Sequence, residues 1–209
     1  MNKFCHLSLH SEYSISDGLI NMADLAKKTS DLGYESVAIT DNSNLFGFVN
    51  FYQTMRENGI KPICGSEITF EGENSKGQLT LLVRNLEGYK NLMKMISHAN
   101  THGKRNKECL ISLEILKKHK EGLIMFTGGL ESQIANSVLA DKFDLAEKQA
   151  RFFRDIFQEN FFLEITRVGF ENEEKCNNSL LEISKSSDIP IIASNRVRFL
   201  NQNEFESHE

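Results

Sequence analysis

The 209 residues contain no tryptophan and only two prolines, Pro62 and Pro190. No stretch is rich enough in Gly, Pro or Ser to read as a linker, and there is no internal repeat or low-complexity segment. No run of about 18 apolar residues is present, which excludes a membrane-spanning helix, and the opening Met1-Asn2-Lys3-Phe4 has no apolar core of a secretory signal. An excess of positive charge is lacking as well. The 24 Lys and Arg against 29 Asp and Glu give a net charge of −5, a poor whole-surface footprint for nonspecific nucleic-acid binding that leaves room only for a local basic patch. Cysteine pairs are missing too: Cys5, Cys64, Cys109 and Cys176 are scattered with no CxxC. Cys5 and Cys64 fall in apolar runs and read as buried, reduced thiols, which fits the cytoplasm.

What is present is ordinary globular material, 40% hydrophobic and 25% charged, long enough for a substantial core. Short apolar runs alternate with helical patterns. Strands are expected at 4–9, 36–40, 61–70, 78–85, 122–127, 161–166 and 190–194. Helices are expected at 21–32, 45–58, 87–100, 112–119, 131–140, 144–158 and 171–187, with Gly33 and Gly59 as stops. Continuous apolar strands such as "SVAIT" (36–40) and "PIIAS" (190–194) belong to sheets covered on both faces, so the class is α/β with parallel pairing, an open sheet or a β/α barrel. "HGKRNKE" (102–108) reads as a surface loop within one domain spanning 1–209.

In β/α barrels the chemistry gathers at the C-terminal ends of strands. Ser8 and His10 close the first strand, Asp41 and Asn42 follow the second, Glu67 lies in the third, and Asn195, Arg196 and Arg198 follow the last. Gln78 opens its strand, so a place at that mouth would require a reversed or irregular strand there.

At "HLSLHSEYSISDG" (6–18) and "AITDNSNLFG" (38–47) the sequence resembles the N-terminal PHP domains (polymerase and histidinol phosphatase) of bacterial DNA polymerase III alpha subunits. Further stretches carry the resemblance in order: "GIKPICGSEI" (59–68), "LTLLVRNLEGYKNLMKMIS" (79–97), "EGLIMFTGG" (121–129), "FFLEITRVG" (161–169) and "IPIIASNRVRFLNQNEFESHE" (189–209). The resemblance implies a distorted seven-stranded β/α barrel with a cluster of divalent metals at the strand ends. It also implies that the chain is one domain of a much longer replicative polymerase, whose polymerising active site lies elsewhere.

Matched position by position, the resemblance implies that three metal ligands are kept: His10, Asp17 and Glu67. Six family ligand positions are replaced, at Ser8, Asn42, Gln78, Val168, Arg196 and Arg198. The H-x-H of the family would place two imidazoles on one face of a strand, since residues i and i+2 point the same way, but here Ser8 stands in the first place. A catalytic zinc needs about three protein ligands and an open position for water. The expectation is therefore a degenerate site with no catalytic residues and no metal cofactor, its alternative being one weakly held ion at His10, Asp17 and Glu67 serving residual phosphoesterase or 3′–5′ exonuclease activity.

Without metals the surviving carboxylates are costly to bury. Arg196 or Arg198 is expected to replace the lost cations by pairing with Glu67 or Asp17; a rival use is an anion pocket formed by Arg196, Arg198 and His10. The partners the resemblance implies are the remainder of the alpha subunit and an epsilon proofreading exonuclease, for which the domain would be a docking platform. DNA would be reached through the holoenzyme rather than by this domain alone, and a direct DNA-binding module is the third reading.

Other features read more plainly. His6 reads as a strand histidine with a structural hydrogen bond. His98 and His102 have the i, i+4 spacing of a helical metal pair but no accompanying carboxylates. The Phe pairs at 152–153 and 161–162 suit a core, with one ring left over for a partner surface. Lys104, Arg105 and Lys107, and Lys117, Lys118 and Lys120, read as solvated faces. Gly128-Gly129 permits a tight strand-to-helix turn.

Overall fold

The computed structural model describes residues 4–15, 17–72, 76–105 and 108–205. Among them, in chain order, are β1 (Ser8–Leu9), α1 (Met22–Asp31), β2 (Ser36–Ile39), α2 (Phe48–Glu57), β3 (Lys61–Glu71), β4 (Lys76–Val83), α3 (Leu86–Thr101), β5 (Lys104–Arg105), β6 (Glu108–Ser112), α4 (Leu113–Lys118), β7 (Leu123–Phe126), α5 (Gln133–Leu139), α6 (Phe143–Phe157), β8 (Phe161–Thr166), α7 (Glu173–Ser187), β9 (Ile191–Ser194) and β10 (Arg196–Val197). The alternation is the α/β pattern read from the sequence. Helix starts follow from side-chain caps: Asn21, Asn85, Ser112 and Ser132 each accept a hydrogen bond from a backbone N–H of the first turn, satisfying donors that a helix leaves unpaired.

The chain divides into two compact units, residues 1–66 with 195–209, and residues 67–194. In the first, β1 pairs in parallel with β10, Ser8 opposite Arg196 and Leu9 opposite Val197. β2 pairs in parallel with the opening of β3, Ser36 opposite Lys61 through Ile39 opposite Cys64. The Thr40 N–H reaches the Leu9 carbonyl at 2.8 Å, tying the first two strands together. Leu9, Met22, Leu25, Ile39, Phe51 and Met55 are buried between these strands and α1 and α2. Burying each such side chain is worth about 1.5–3 kcal/mol.

In the second unit the strands follow the order β5-β6-β3-β4-β7-β8-β9. β3 and β6 are parallel, as are β7, β8 and β9. β4 runs antiparallel to β7, with Thr80 opposite Phe126 and Val83 opposite Leu123. This is the reversed strand that Gln78 required: the start of β4 lies beside the C-terminal end of β7. Phe70, Phe126, Phe153 and Phe161 are all fully buried here, Phe153 standing edge-on to Phe70 at 5.5 Å between ring centroids.

Four expectations are corrected. The first strand is short, Ser8–Leu9 rather than 4–9, so His6 precedes it. The His6 ring packs against Phe4 and Tyr34; among the described residues its buried Nδ1 has no hydrogen-bond partner, so the ring is held by aromatic packing while its carbonyl accepts from the Ala38 N–H at 2.9 Å. The surface loop at 102–108 contains strand β5, with Lys104 opposite Cys109 and Arg105 opposite Glu108 in a short antiparallel pair; Lys107 lies outside the described residues. Cys5 is half-buried rather than fully buried, whereas Cys64 is buried and all four thiols are free.

Candidate functional site

In the first unit the segment after β1 turns back on itself. The Ser14 N–H donates to the Ser11 carbonyl at 2.9 Å, the Asp17 N–H to Ser14 at 2.9 Å, and the Leu19 N–H to the Arg198 carbonyl at 2.9 Å. Gly18 is required in this turn, because a Cβ there would sit 2.3 Å from the Ser11 carbonyl oxygen. The turn brings Asp17 back over His10, while β10, paired to β1, delivers Arg198 to the same place.

The result is a three-membered cluster. His10 is buried, its N–H donating to the Val197 carbonyl at 3.0 Å. Its Nδ1 hydrogen-bonds Oδ2 of Asp17. Arg198, 6% exposed, places its Nε 3.2 Å from that same Oδ2, and its Nη1 donates to the Val197 carbonyl at 3.3 Å. Burial works to raise the Asp17 pKa. The hydrogen bond from His10, the charge of Arg198, and then the charges of His10 and Arg196 outweigh it and hold the carboxyl at about 2. Of the expected arginine pairings, Arg198 with Asp17 is therefore formed.

Asp41 is compensated in another way. Its buried carboxylate accepts from the Ser11 N–H at 2.7 Å, the Ser11 hydroxyl at 2.8 Å and the Ser14 hydroxyl at 2.7 Å. Ser14 Oγ in turn accepts from the Asn42 N–H at 3.0 Å. Nothing in the sequence singled out Ser11 and Ser14; the signal was two hydroxyls three residues apart in a turn facing an acidic strand end. Asn42 is exposed, its side-chain oxygen accepting from the Ser43 hydroxyl at 3.2 Å. Ser8 is buried on β1 opposite Arg196, which is half-buried.

The remaining sequence-predicted positions belong to the second unit. Glu67 is buried on β3, and Gln78 is half-buried near the start of β4. Val168 is 42% exposed. Its N–H, with those of Gly169 and Phe170, donates to Oε2 of buried Glu173 at 2.9, 2.8 and 3.2 Å, and the Thr166 hydroxyl binds the other oxygen at 2.8 Å. Glu164, also missed by sequence reasoning, accepts from the Gly128 N–H at 3.0 Å and from the Ser194 hydroxyl. Among the described residues no group of three or more His, Cys, Asp or Glu side chains is gathered as a metal ion requires. Among the described residues no helix is long and apolar enough to cross a membrane.

Comparisons with known proteins agree with one another. The family model of the PHP domain matches residues 6–168. The chain is 37% identical over 209 residues to the DNA polymerase III subunit alpha of Pseudomonas aeruginosa, covering 99% of this chain and 18% of that protein. It is 35% identical over 210 residues to the subunit of the same name from Escherichia coli K12, with the same coverage. The chain thus spans 18% of the length of these relatives. Among solved structures it is similar to a Bifidobacterium adolescentis protein assigned as a metal-dependent phosphoesterase, with TM-score 0.62, 13% identity, and 95% of this chain and 89% of that one covered. It is also similar to an amidohydrolase from Chromobacterium violaceum solved with sulfate and no metal, with TM-score 0.59, 11% identity, and 93% and 87% covered. At such identity the likeness shows the fold alone, and it is the distorted β/α barrel class expected from the sequence.

Proposed function

The chain belongs to the PHP domain family, and from that premise we propose that it is the N-terminal PHP domain of a bacterial replicative polymerase, noncatalytic in itself and a docking platform for the epsilon proofreading exonuclease. Both compact units form that one domain in this reading, and it works in the cytoplasm beside the rest of the alpha subunit, which carries nucleotidyl transfer and holds the DNA.

One observation carries the noncatalytic part: Arg198 sits 3.2 Å from the carboxylate oxygen of Asp17 that His10 also engages. A divalent ion placed on Asp17 and His10 would meet a permanent, largely buried cation in direct contact with its ligand. The donor set fits a guanidinium better than a metal. With Ser8 and Asn42 in place of imidazoles and Asp41 saturated by three neutral donors, the first unit offers little else for an ion. A metal centre would polarise water and a phosphoryl oxygen. The residues here instead fix charge and shape: His10 and Arg198 hold Asp17 ionised, and the Ser11–Ser14 turn holds Asp41.

Docking is tested by mixing the purified chain with the epsilon subunit of the same polymerase at micromolar concentration and measuring association by calorimetry. A stoichiometric complex that survives a chelator is expected. Absence of binding to both this chain and the full alpha subunit overturns the docking role. Metal content after incubation with zinc or manganese and desalting tests the noncatalytic role: less than about a tenth of an equivalent is expected, and one equivalent lost on His10→Ala would restore the phosphoesterase reading.

A further inference from the structure

The second unit carries a row of lysines and histidines that the site above does not use. On α3, Lys90, Lys94 and His98 recur at four-residue intervals and continue to His102 just past the helix end, so the four share one face. Each step rises about 6 Å, and the row extends about 18 Å. Lys90, Lys94 and His102 are exposed and His98 is half-buried. The rings of His98 and His102 stack, with centroids 5.0 Å apart and planes 18° from parallel. The end of α4 joins this row. The Nδ1 of His119 lies 3.4 Å from Oδ1 of Asn91 on α3. The His119 pKa is lowered first by burial and then by the charges of Lys118, Lys94 and His98, the mark of like charges crowded from two elements. The end of α4, which carries Lys118, therefore abuts α3 beside this row.

Among the described residues Lys90, Lys94 and Lys118 form no ion pair. A shallow groove of about 440 Å³ runs along the row from Lys90 to His102, includes Met93 and Ser97, and has no acidic side chain in its lining. Two stacked histidines suggest a transition metal, but the neighbouring ammonium groups oppose a cation and favour an anion. The row is linear and long, which suits a chain of anions better than a single phosphate. Exposed Met93 at its middle gives apolar contact to an unstacked base or sugar, a feature of use to a single strand and of none to a duplex presenting only its backbone.

We propose that this face of α3, with the end of α4, binds the phosphate backbone of single-stranded DNA. It goes beyond the docking role, in which DNA is held by the rest of the polymerase. The row, about 18 Å long, spans about three phosphates of an extended strand, and the three unpaired lysines are the contacts that release counterions. Binding is without sequence preference and weak, as suits a secondary tether on a protein of net charge −5.

Fluorescence anisotropy of a labelled oligothymidine titrated with the chain at pH 7.5 tests this directly. Three phosphate contacts on a single strand predict a slope of log K against log salt of about −2, a loss of about 20-fold between about 50 and about 200 mM salt. Lys94→Ala with Lys118→Ala should flatten the slope to about −0.7 and weaken low-salt binding at least tenfold, while Lys27→Ala on α1 leaves both unchanged. No binding at low salt, an unchanged slope in the double variant, tighter binding to a duplex of the same length, or equal binding of polyglutamate would each overturn the proposal. Epsilon association is measured independently, so failure of one reading leaves the other standing.

Discussion

The Nε of Arg198 and the Nδ1 of His10 converge on a single oxygen, Oδ2 of Asp17. A half-buried carboxylate in the turn after β1 is best compensated, and a metal ion or a guanidinium can each do so. Here the compensation is built into the chain. β10 pairs with β1 through Ser8 and Arg196, which sets Arg198 two residues further on, beyond the paired segment and at the Asp17 turn. The charge balance of this region therefore depends on folding alone.

Removing the guanidinium should be costly. Arg198→Met keeps most of the stem and removes the guanidinium from Asp17, leaving the hydrogen bond of His10 and the charge of Arg196. Breaking a buried pair costs about 3–5 kcal/mol, but the Asp17 side chain is 39% exposed, and solvent screening brings the expected loss to about 1–2 kcal/mol. Urea unfolding followed by circular dichroism measures it; an unchanged midpoint would mean that Arg198 does not balance Asp17.

The pH dependence follows from the same carboxyl. Its folded pKa is about 2, below the ordinary 3.8, so the unfolded chain binds the proton more readily. The stabilisation is complete above about pH 4 and is lost as pH falls through about 2. After screening it amounts to about 1 kcal/mol. Between these pH values the unmodified chain should lose about that much more stability than Asp17→Asn, which has no proton to take up.

How much of this was legible depended on the scale of the interaction. Apolar runs and glycine stops marked the elements, and the caps Asn21, Asn85 and Ser132 act on N–H groups only two or three residues away. That Ser8, Asn42, Gln78 and Val168 carry neither imidazole nor carboxylate was equally plain, since residue type is read directly. The sequence also stated a condition for Gln78, a reversed strand, and β4 meets it. What it could not show were pairings set by tertiary register. Either arginine could have met either carboxylate until β10 was aligned on β1. Ser11 and Ser14 bond Asp41 across about 30 residues of chain, and hydroxyls that common carry no mark of such a role. β5 was missed because its partner residues in β6 hold it, not its own propensity.

The Asp41 knot supplies the next expectation. Asp41→Ala strips the acceptor from one buried N–H and two hydroxyls at once, and each buried donor left unmet costs about 1–3 kcal/mol. The expected loss is about 3–4 kcal/mol, against about 1 kcal/mol for Ser14→Ala, which removes one donor and leaves two. The double variant should lose less than the sum, because the two changes delete a shared bond. Strict additivity in chemical denaturation would show that the bond contributes nothing.

The last expectation separates the ligand that is missing from the cation that is added. Ser8→His restores the i, i+2 imidazole pair with His10 on one face of β1. If lost ligands alone keep metal out, this single change should raise zinc retention after desalting. If Arg198 excludes the ion, Ser8→His alone should stay near zero, and retention should approach about one equivalent only when Arg198→His is combined with it, which exchanges a fixed charge for a donor. Ser8 is buried, so a histidine there adds volume at a cost of about 1–3 kcal/mol, and unfolding is measured alongside elemental zinc. The charge argument requires both changes together: zinc bound by folded Ser8→His without the second change would show that the guanidinium is a bystander, and no zinc in the folded double variant would place the deficit in ligand geometry.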